Sequence, residues 1–282
     1  MTRSKRALAL ILSAMLLFGI AGCGGKDEKT SLTPTVIPPV IAKEGVLRAG
    51  VDLSYPPFAG EEKGQKVGID IDVAAALAER LGLSLEIVDL KPSDIPAALQ
   101  NKQVDVALGA VSITDAVLAG VTPAGSYISD GAGYFSIVAS GAVAPEITSA
   151  SLAGMKVGCQ KESAAFWNLQ SDYGEGFATA YETVRAGFEA LQAGEIDVLV
   201  ADAVVGAYIS RDFNDARFVG QYGQAAALAV VVAPDASELE TAVRGALDAL
   251  ASEGVLDAIR TKWVGSLPVF DVSASTEAST TP

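Results

Sequence analysis

The stretch GVLRAGVDLSYPPF, residues 45–58, decides the fold class. It begins as an apolar strand that ends at Val51, and Pro56-Pro57 closes the loop that follows. A helix is predicted next, over 70–81, because apolar side chains recur there at helical spacing. A second strand is predicted over residues 83–88. This strand–helix–strand order is typical of parallel sheets with helices packed on their faces.

The same alternation of strands and helices continues along the rest of the chain. Parallel α/β sheets bind ligands in crevices at the carboxyl ends of their strands, so we expect functional residues there. The predicted strands cover 104–108, 156–160, 196–200 and 225–233, and the predicted helices cover 93–100, 185–192, 238–250 and 255–263, with a further helix from 163.

The N-terminus has the order of a secretory leader. A basic cluster at residues 3–6 precedes an apolar run over 7–20, which is too short to span a bilayer comfortably. The sequence Ile-Ala-Gly-Cys that ends at Cys23 resembles the lipobox of bacterial lipoproteins. This resemblance implies that 1–22 is a signal peptide and that Cys23 carries lipid, such as palmitate. The alternative is an ordinary secretory signal with an incidental cysteine.

The segments that flank the body carry little material for a core. Residues 23–42 contain paired glycines, a charged patch and several prolines, so we expect a flexible tether. Residues 271–282 are small and polar, and we expect a disordered tail. The stretch between them is long for one compact domain and sufficient for two lobes.

The charge of the chain and the residues it lacks exclude several classes of function. Its formal charge of −14 becomes −17 once 1–22 is removed, because that leader holds three basic residues and no acidic one. So acidic a surface repels nucleic acid and anionic lipid. The sequence has no histidine, which removes the usual catalytic triads and the most common zinc ligand. Besides Cys23 there is only Cys159, so we expect no disulfide in the body, no metal site and no cofactor.

Six segments that occur in order along the chain carry a family resemblance. They are 47–58, 68–74 with 78–82, 98–106, 152–160, 191–197 with 201–202, and 254–259 with 262–265. Together they resemble the polar-amino-acid-binding proteins of ABC importers, solute-binding family 3. The resemblance implies a type II periplasmic-binding-protein-like fold of the α/β class. Each of its two lobes would be a mostly parallel sheet with flanking helices, and two strands would form the hinge.

The same resemblance sets the expected domain boundaries. Lobe 1 is expected at 43–130 plus 224–270, and lobe 2 is expected at 131–223. The hinge is expected near 129–133 and 220–224. A solute would lie between the two lobes, and closure would require that it contacts both of them.

The resemblance implies ligand contacts in two loops of the first lobe. An aromatic ring in the first loop packs on the ligand in this family, which selects Tyr55, with Phe58 either beside it or in the core of the lobe. Gly109, Ser112 and Thr114 match the segment that wraps the ligand with backbone groups and hydroxyls. The alternative role for Thr114 is a helix cap.

The charged positions depart from the family pattern and change the expected ligand. Where the family has an arginine for the α-carboxylate of the ligand, this chain has Val117. Lys161 either replaces the missing arginine or is a solvated surface lysine. Glu162 adds a negative charge, and Ser163 keeps a hydroxyl at the start of a helix. Asp202 matches the aspartate that holds the ligand's ammonium group, and it is also a good helix cap. We therefore expect a cationic or amine-bearing solute.

These features predict the substrate-binding lipoprotein of an ABC importer, with no catalytic residue. Its expected partners are a small polar solute, an amino acid or an amine-bearing compound, and the permease subunits. We expect a monomer on the extracytoplasmic face of the cell membrane, attached through the lipid at Cys23. The alternatives are a membrane-tethered ligand sensor and a degenerate module that has lost its ligand. A further alternative is an enzyme similar to cyclohexadienyl dehydratase, in which Glu162, Asp202 or Lys161 would act as the acid–base catalyst.

Overall fold

The structure, a computed structural model, describes residues 33–112, 120–270 and 272. Every strand and helix predicted from the sequence overlaps an element of the structure, so the predicted α/β class is confirmed. The expectations for the signal peptide 1–22, for Cys23, for Thr114, for the departure at Val117 and for the tail beyond 272 lie outside the described residues.

Ten strands and seven α-helices make up the described chain. The strands are β1 Val46–Val51, β2 Gly60–Glu62, β3 Gln65–Val67, β4 Ser84–Asp89, β5 Val106–Ala107, β6 Thr122–Ile137, β7 Val157–Gln160, β8 Ala178–Tyr181, β9 Val198–Asp202 and β10 Ala216–Val232. The helices are α1 Ile69–Arg80, α2 Ile95–Gln100, α3 Ala164–Tyr173, α4 Val184–Ala193, α5 Ala203–Ser210, α6 Ser237–Ser252 and α7 Val255–Val264.

Eight of the strands form one sheet in the order β4-β1-β5-β10-β6-β9-β7-β8. Strands β4, β1 and β5 pair in parallel, and we call them the first wing. Strands β9, β7 and β8 also pair in parallel, and we call them the second wing. The long strands β6 and β10 lie between the wings and pair with each other in antiparallel fashion. The sheet therefore consists of two parallel halves joined by two crossing strands.

The crossing strands are irregular where they pass between the wings. Their register changes between Tyr222 and Ala226, so that residues 223–225 of β10 lie opposite Gly131 of β6. A Cβ atom on Gly131 would lie 3.0 Å from the Ala225 Cα atom, so a larger residue would require the two strands to move apart slightly. A bulge of this kind bends a strand and increases its twist. The bulge overlaps both of the segments, 129–133 and 220–224, where the sequence leads us to expect the hinge.

The helices begin and end at residues whose chemistry explains the boundary. Helix α4 starts where the Thr183 hydroxyl accepts a hydrogen bond of 3.1 Å from the Ala186 amide. It ends at Gly194, whose φ of 73° is the left-handed conformation that closes many helices. The buried face of α4 includes Phe188 and Leu191, which pack against the second wing. Such capping and burial together define the strand–helix connections of this wing.

Buried side chains form one large cluster and two smaller ones. The large cluster runs along the crossing strands and includes Leu47 of the first wing and Leu199 of the second. One small cluster lies around Ile95 and Val231, and the other lies around Tyr134 and Val157. Each wing therefore has apolar material of its own in addition to the core that it shares.

The folded chain begins earlier than the sequence predicts. The expected tether, 23–42, is partly packed, because Val36 and Ile41 are 5% and 1% exposed. The Ala42 amide donates to a carboxylate oxygen of Asp105 at 2.9 Å. Two buried apolar side chains outweigh the proline-rich composition that suggested a free linker. Within the described ranges, none of the helices has the length and apolarity needed to cross a membrane.

Candidate ligand-binding site

The loop after β1 presents an aromatic pair at the carboxyl end of the strand. Tyr55 is half-buried, and its ring stacks on that of Phe58 with 5.3 Å between the centroids. Phe58 itself is only 1% exposed. Of the two roles left open for Phe58, the structure favours the core, where the ring supports that of Tyr55. Tyr55 therefore presents the polar end of the pair, its hydroxyl group.

Tyr55 makes a polar contact with the second wing. Its hydroxyl donates to Asp202 Oδ2 at 3.2 Å. Asp202 is the last residue of β9 and directly precedes α5. The two residues come from opposite halves of the sheet, so the predicted pair of ligand-binding residues is brought together across the molecule.

Helix α5 is capped by a residue that the sequence analysis missed. Asp202 occupies the N-cap position of α5, but its side chain makes no capping hydrogen bond. Instead the carboxylate of Asp130, on the crossing strand β6, accepts from the Val204 amide at 3.1 Å and from the Gly131 amide at 2.8 Å. Asp130 thus takes over the capping role. The Asp202 side chain remains available for Tyr55 or for a ligand.

Two acids and a phenol lie close together without a positive partner. The ion pairs recorded between described residues involve neither Asp130 nor Asp202. Burial, followed by repulsion from Asp202, raises the pKa of Asp130 to about 7. Burial also raises the pKa of Asp202, although the hydrogen bond from Tyr55 opposes this. Burial and the negative charge of Asp202 raise the pKa of Tyr55, so its hydroxyl keeps its proton.

The segment after β5 supplies the loop that the family resemblance assigns to the ligand. Gly109 and Ala110 have φ angles of 115° and 55°, the second of which is rare for a residue with a side chain. The Ala229 amide donates to the Val111 carbonyl at 2.9 Å. Ser112, 9% exposed, forms an isolated bridge with Leu228 of β10. The loop is therefore fixed against the crossing strand at its far end.

In the second candidate loop, before α3, Lys161 and Ser163 already have polar partners. Lys161 is exposed, and its Nζ atom lies 3.4 Å from Glu182 Oε1. Glu162 is exposed and has a φ of 59°. The Ser163 hydroxyl caps α3 by accepting from the Phe166 amide at 3.1 Å. The structure does not bring these three residues to Tyr55 or Asp202, and their ligand role stays a prediction.

The site residues that sequence reasoning missed carry no local signal. Asp130 lies inside β6, which no local sequence pattern predicted although the family resemblance placed a hinge segment near 129–133, and Tyr127 lies three residues before it in the same strand. The Tyr127 hydroxyl donates to Asp70 Oδ1 at 2.7 Å. Only the fold brings these groups together. Across the described ranges, no cluster of acidic or cysteine side chains has the arrangement of a metal site.

Comparisons with known proteins show which family the chain is similar to. The family model for bacterial extracellular solute-binding proteins, family 3, matches residues 47–266. The L-cystine-binding protein TcyJ of Escherichia coli K12 is 25% identical, with 80% of this chain and 85% of that protein covered. The L-arginine-binding protein of Pseudomonas aeruginosa is 26% identical, with 84% and 93% covered. A shorter match, 28% identical over 40% of this chain and 40% of the relative, is to the cyclohexadienyl dehydratase of P. aeruginosa.

A solved structure gives the same result for the fold. The ancestral cationic amino acid solute-binding protein AncCDT-1 superposes with a TM-score of 0.68 at 26% identity, covering 78% of this chain and 96% of that one. The expected type II periplasmic-binding-protein fold is confirmed. The chain belongs to the bacterial extracellular solute-binding proteins, family 3.

Proposed function

We propose that this protein is the substrate-binding lipoprotein of an ABC importer and that it captures an amine-bearing solute between two closing lobes. The observation that carries the proposal is the contact of 3.2 Å between Tyr55 and Asp202, which joins the two wings at the carboxyl ends of β1 and β9. Ligands of open α/β sheets bind at such strand ends. A solute that takes the place of this contact would touch both wings.

The charge of the site favours a cation. Burial, and after it the negative charge of Asp202, raises the pKa of Asp130, so holding both carboxylates ionised is unfavourable. An ammonium or guanidinium group placed beside Asp202 would relieve that repulsion and would replace the Tyr55 hydroxyl as a donor. The arginine that would hold an α-carboxylate in this family is replaced by Val117. An anionic solute would therefore meet two acids and no arginine.

Closure would use the irregular part of the crossing strands. The bulge at 223–225 opposite Gly131 interrupts the ladder between β6 and β10, and Gly223 has a φ of 69°. Backbone of this kind absorbs a change of angle with little loss of packing. We propose lobe 1 at 43–130 plus 224–270 and lobe 2 at 131–223, so the boundary falls at this bulge. Binding favours the closed form because the solute contacts both lobes only in that form.

The proposed location of the protein rests on its N-terminal leader and not on its folded body. The basic cluster, the apolar run and the lipobox-like sequence before Cys23 support export and acylation. The body would then lie at the extracytoplasmic face of the cell membrane and deliver solute to permease subunits. Loss of membrane association in a Cys23→Ala protein that is still exported would support the anchor. Retention of that protein in the membrane fraction would contradict it.

Three alternatives stay open to experiment. A tethered sensor would bind solute but would not support uptake when its gene is expressed with a permease. A degenerate module would bind none of the solutes offered. A dehydratase would turn over a cyclohexadienyl acid, and its acid–base groups would have to be carboxylates or lysine, because the sequence has no histidine.

The experiment is a thermal-shift panel with L-arginine, L-cystine, putrescine and L-glutamate. A ligand present at 100 times its Kd stabilises the folded state by about 2.7 kcal/mol, which raises the Tm of a body this size by about 5 to 10 °C. We expect shifts with amine-rich solutes that are reduced in the Asp202→Asn protein. The matched control is Asp197→Asn, because Asp197 precedes the same strand and accepts from the Lys156 amide at 2.8 Å, away from the site. A shift with L-glutamate alone would overturn the charge argument.

A further inference from the structure

The chain passes from the first wing to the second once more after helix α7. Helix α7 is fixed to α1, which packs on the strands of the first wing, because Trp263 Nε1 donates to Asp72 Oδ2 at 2.7 Å. It ends before Gly265, which has a φ of 62°. We call residues 265–270 the strap. The strap leads to Phe270, whose ring packs on that of Phe218 with 5.7 Å between the centroids.

Phe218 belongs to the aromatic core of the second wing. Its ring meets that of Phe135 at a centroid distance of 5.8 Å, and Phe135 meets Phe188 of α4 at 5.3 Å. Phe135 also pairs with Leu199 of β9 in the sheet. Each ring adds its buried area and an edge-to-face contact to this core. Phe270 is therefore attached to the second wing, although the strap starts from a helix that is attached to the first.

The strap has a buried side and an exposed side. Leu267 and Phe270 are 5% and 6% exposed, whereas Val269 between them is 70% exposed. The carbonyl of Leu267 also accepts from Arg260 Nη1 of α7. This pattern of burial stabilises one position of the strap on the body, since its apolar side chains are removed from water only there.

The backbone of Phe270 is bonded to the crossing strand β6. Its amide donates to the Ser129 hydroxyl oxygen at 3.2 Å, and that hydroxyl donates to the Phe270 carbonyl at 3.4 Å. Ser129 pairs with Ala227 on one side of the bulge at 223–225, and Phe218 lies on the other side of it. Phe270 therefore straddles the bulge, because its backbone is held on one side and its ring on the other.

This arrangement links Phe270 to any movement of the lobes about the bulge. Such a movement changes the distance between Ser129 and Phe218, so Phe270 cannot keep both contacts in every arrangement of the lobes. It keeps both in the conformation in which Tyr55 contacts Asp202 across the two wings. Contacts that are made in one conformation and lost in another favour the first.

We propose that the strap, 265–270, is a third connection across the hinge and that Phe270 stabilises the closed arrangement of the two lobes. The effect of the strap on affinity rests on the proposed function, but its effect on the lobes needs no ligand. Phe270→Ala removes the ring and leaves the backbone bonds to Ser129. Ser129→Ala removes those bonds and leaves the ring. Val269→Ala is the matched control, because it shortens an exposed side chain of the same strap.

The first measurement is the distance between the lobes in the full chain without ligand. Dyes attached at Glu62→Cys and Glu175→Cys, two exposed positions on β2 and after α3, report this distance by single-molecule energy transfer. The background carries Cys23→Ser, so that the dyes react only at the introduced thiols, since Cys159 is buried. We expect Phe270→Ala to increase the population at long distance, and Ser129→Ala to change it in the same direction. Val269→Ala should leave the distances unchanged.

The second measurement is the Kd for L-arginine, or for whichever of L-cystine, putrescine and L-glutamate binds the unmodified protein. A variant that populates the closed arrangement less must spend more of the binding free energy on closure. We therefore expect the Kd to rise about three- to tenfold in Phe270→Ala and to stay within about twofold in Val269→Ala.

The outcomes separate this inference from the proposed function. If the unmodified protein binds none of the four probes, the proposed function fails, and the dye distances alone decide the role of the strap. Dye distances that stay the same in both Phe270→Ala and Ser129→Ala would overturn the inference, whatever happens to the Kd. An equal change in Val269→Ala would also overturn it, because the effect would then not depend on the contacts of Phe270. If Phe270→Ala does not fold, Ser129→Ala decides by the same measurement.

Discussion

Replacement of Asp130 by asparagine should stabilise the protein at neutral pH. Asp130 accepts two backbone hydrogen bonds through its Oδ1 atom, from Gly131 and Val204. An asparagine can keep both with its carbonyl oxygen, and its amide can donate towards Asp202 as a protonated carboxyl would. Asp130→Asn therefore imitates the neutral state that burial and the charge of Asp202 favour at this position.

The magnitude follows from the pKa of Asp130 in the folded and unfolded states. The pKa is about 7 in the folded protein, against an ordinary value of 3.8. Between these values the folded state binds more protons than the unfolded state, so the free energy of unfolding falls as pH rises. At about 1.4 kcal/mol for each pKa unit, the full difference corresponds to about 4 kcal/mol lost between pH 4 and pH 8. Asp130→Asn should recover most of this at pH 8 and little at pH 4.

Urea unfolding of the unliganded protein at several pH values between 4 and 8 measures this effect. We expect the curve of Asp130→Asn to be flatter than that of the unmodified protein, with a residual slope below pH 6 from Asp70, whose burial raises its pKa to about 6. Asp248→Asn, which changes an exposed acid on α6, is the control for the loss of one negative charge. If Asp130→Asn runs parallel to the unmodified protein, or is less stable at pH 8, the account of this acid pair is refuted.

Three further changes test the packing of the body. Gly68→Ala should lower the free energy of unfolding by about 3 kcal/mol or more. The added Cβ atom would lie 2.1 Å from the Phe58 carbonyl oxygen, and the φ of Gly68 is 140°. A Gly68→Ala protein as stable in urea as the unmodified protein would contradict this. Phe135→Ala should cost about 3 to 5 kcal/mol, since the ring is 0% exposed, and a loss below 1 kcal/mol would show that the core collapses around it. Burial raises the pKa of the Cys159 thiol to about 11. The Cys23→Ser protein should therefore react with a thiol reagent at about pH 8 only after urea is added. Rapid labelling of the folded Cys23→Ser protein would show that Cys159 is not buried.

The order of the strands and helices was predictable because most of them carry a local sequence signal. Helix α1 has apolar residues at helical spacing and acids in its first turn, and α4 ends at a glycine. Strand β6 has no such signal, because glycine, serine and proline interrupt its apolar residues. Its extended conformation comes from pairing with β10 along nearly its whole length. Helix α5 was missed because its apolar, partly β-branched residues follow β9 directly and resemble more strand.

The candidate site was only half predictable for a similar reason. Tyr55 and Asp202 both follow apolar strands, so their positions at strand ends could be inferred from the order of elements and from the family resemblance. Asp130 and Tyr127 lie within a strand, and their partners Val204 and Asp70 are distant in sequence. No local pattern marks such contacts. They arise from the register of β6 against its neighbours, which only the folded chain determines.

Calorimetric titration of the purified protein with L-arginine tests the central claim most directly, with Asp202→Asn and Asp197→Asn titrated in parallel. The account predicts that the unmodified and Asp197→Asn proteins bind with similar Kd values. It predicts that Asp202→Asn weakens binding at least tenfold, because an ammonium or guanidinium group loses its charged partner. Binding of equal strength in all three proteins would show that the solute does not lie against Asp202, and it would contradict the site built on Tyr55 and Asp202.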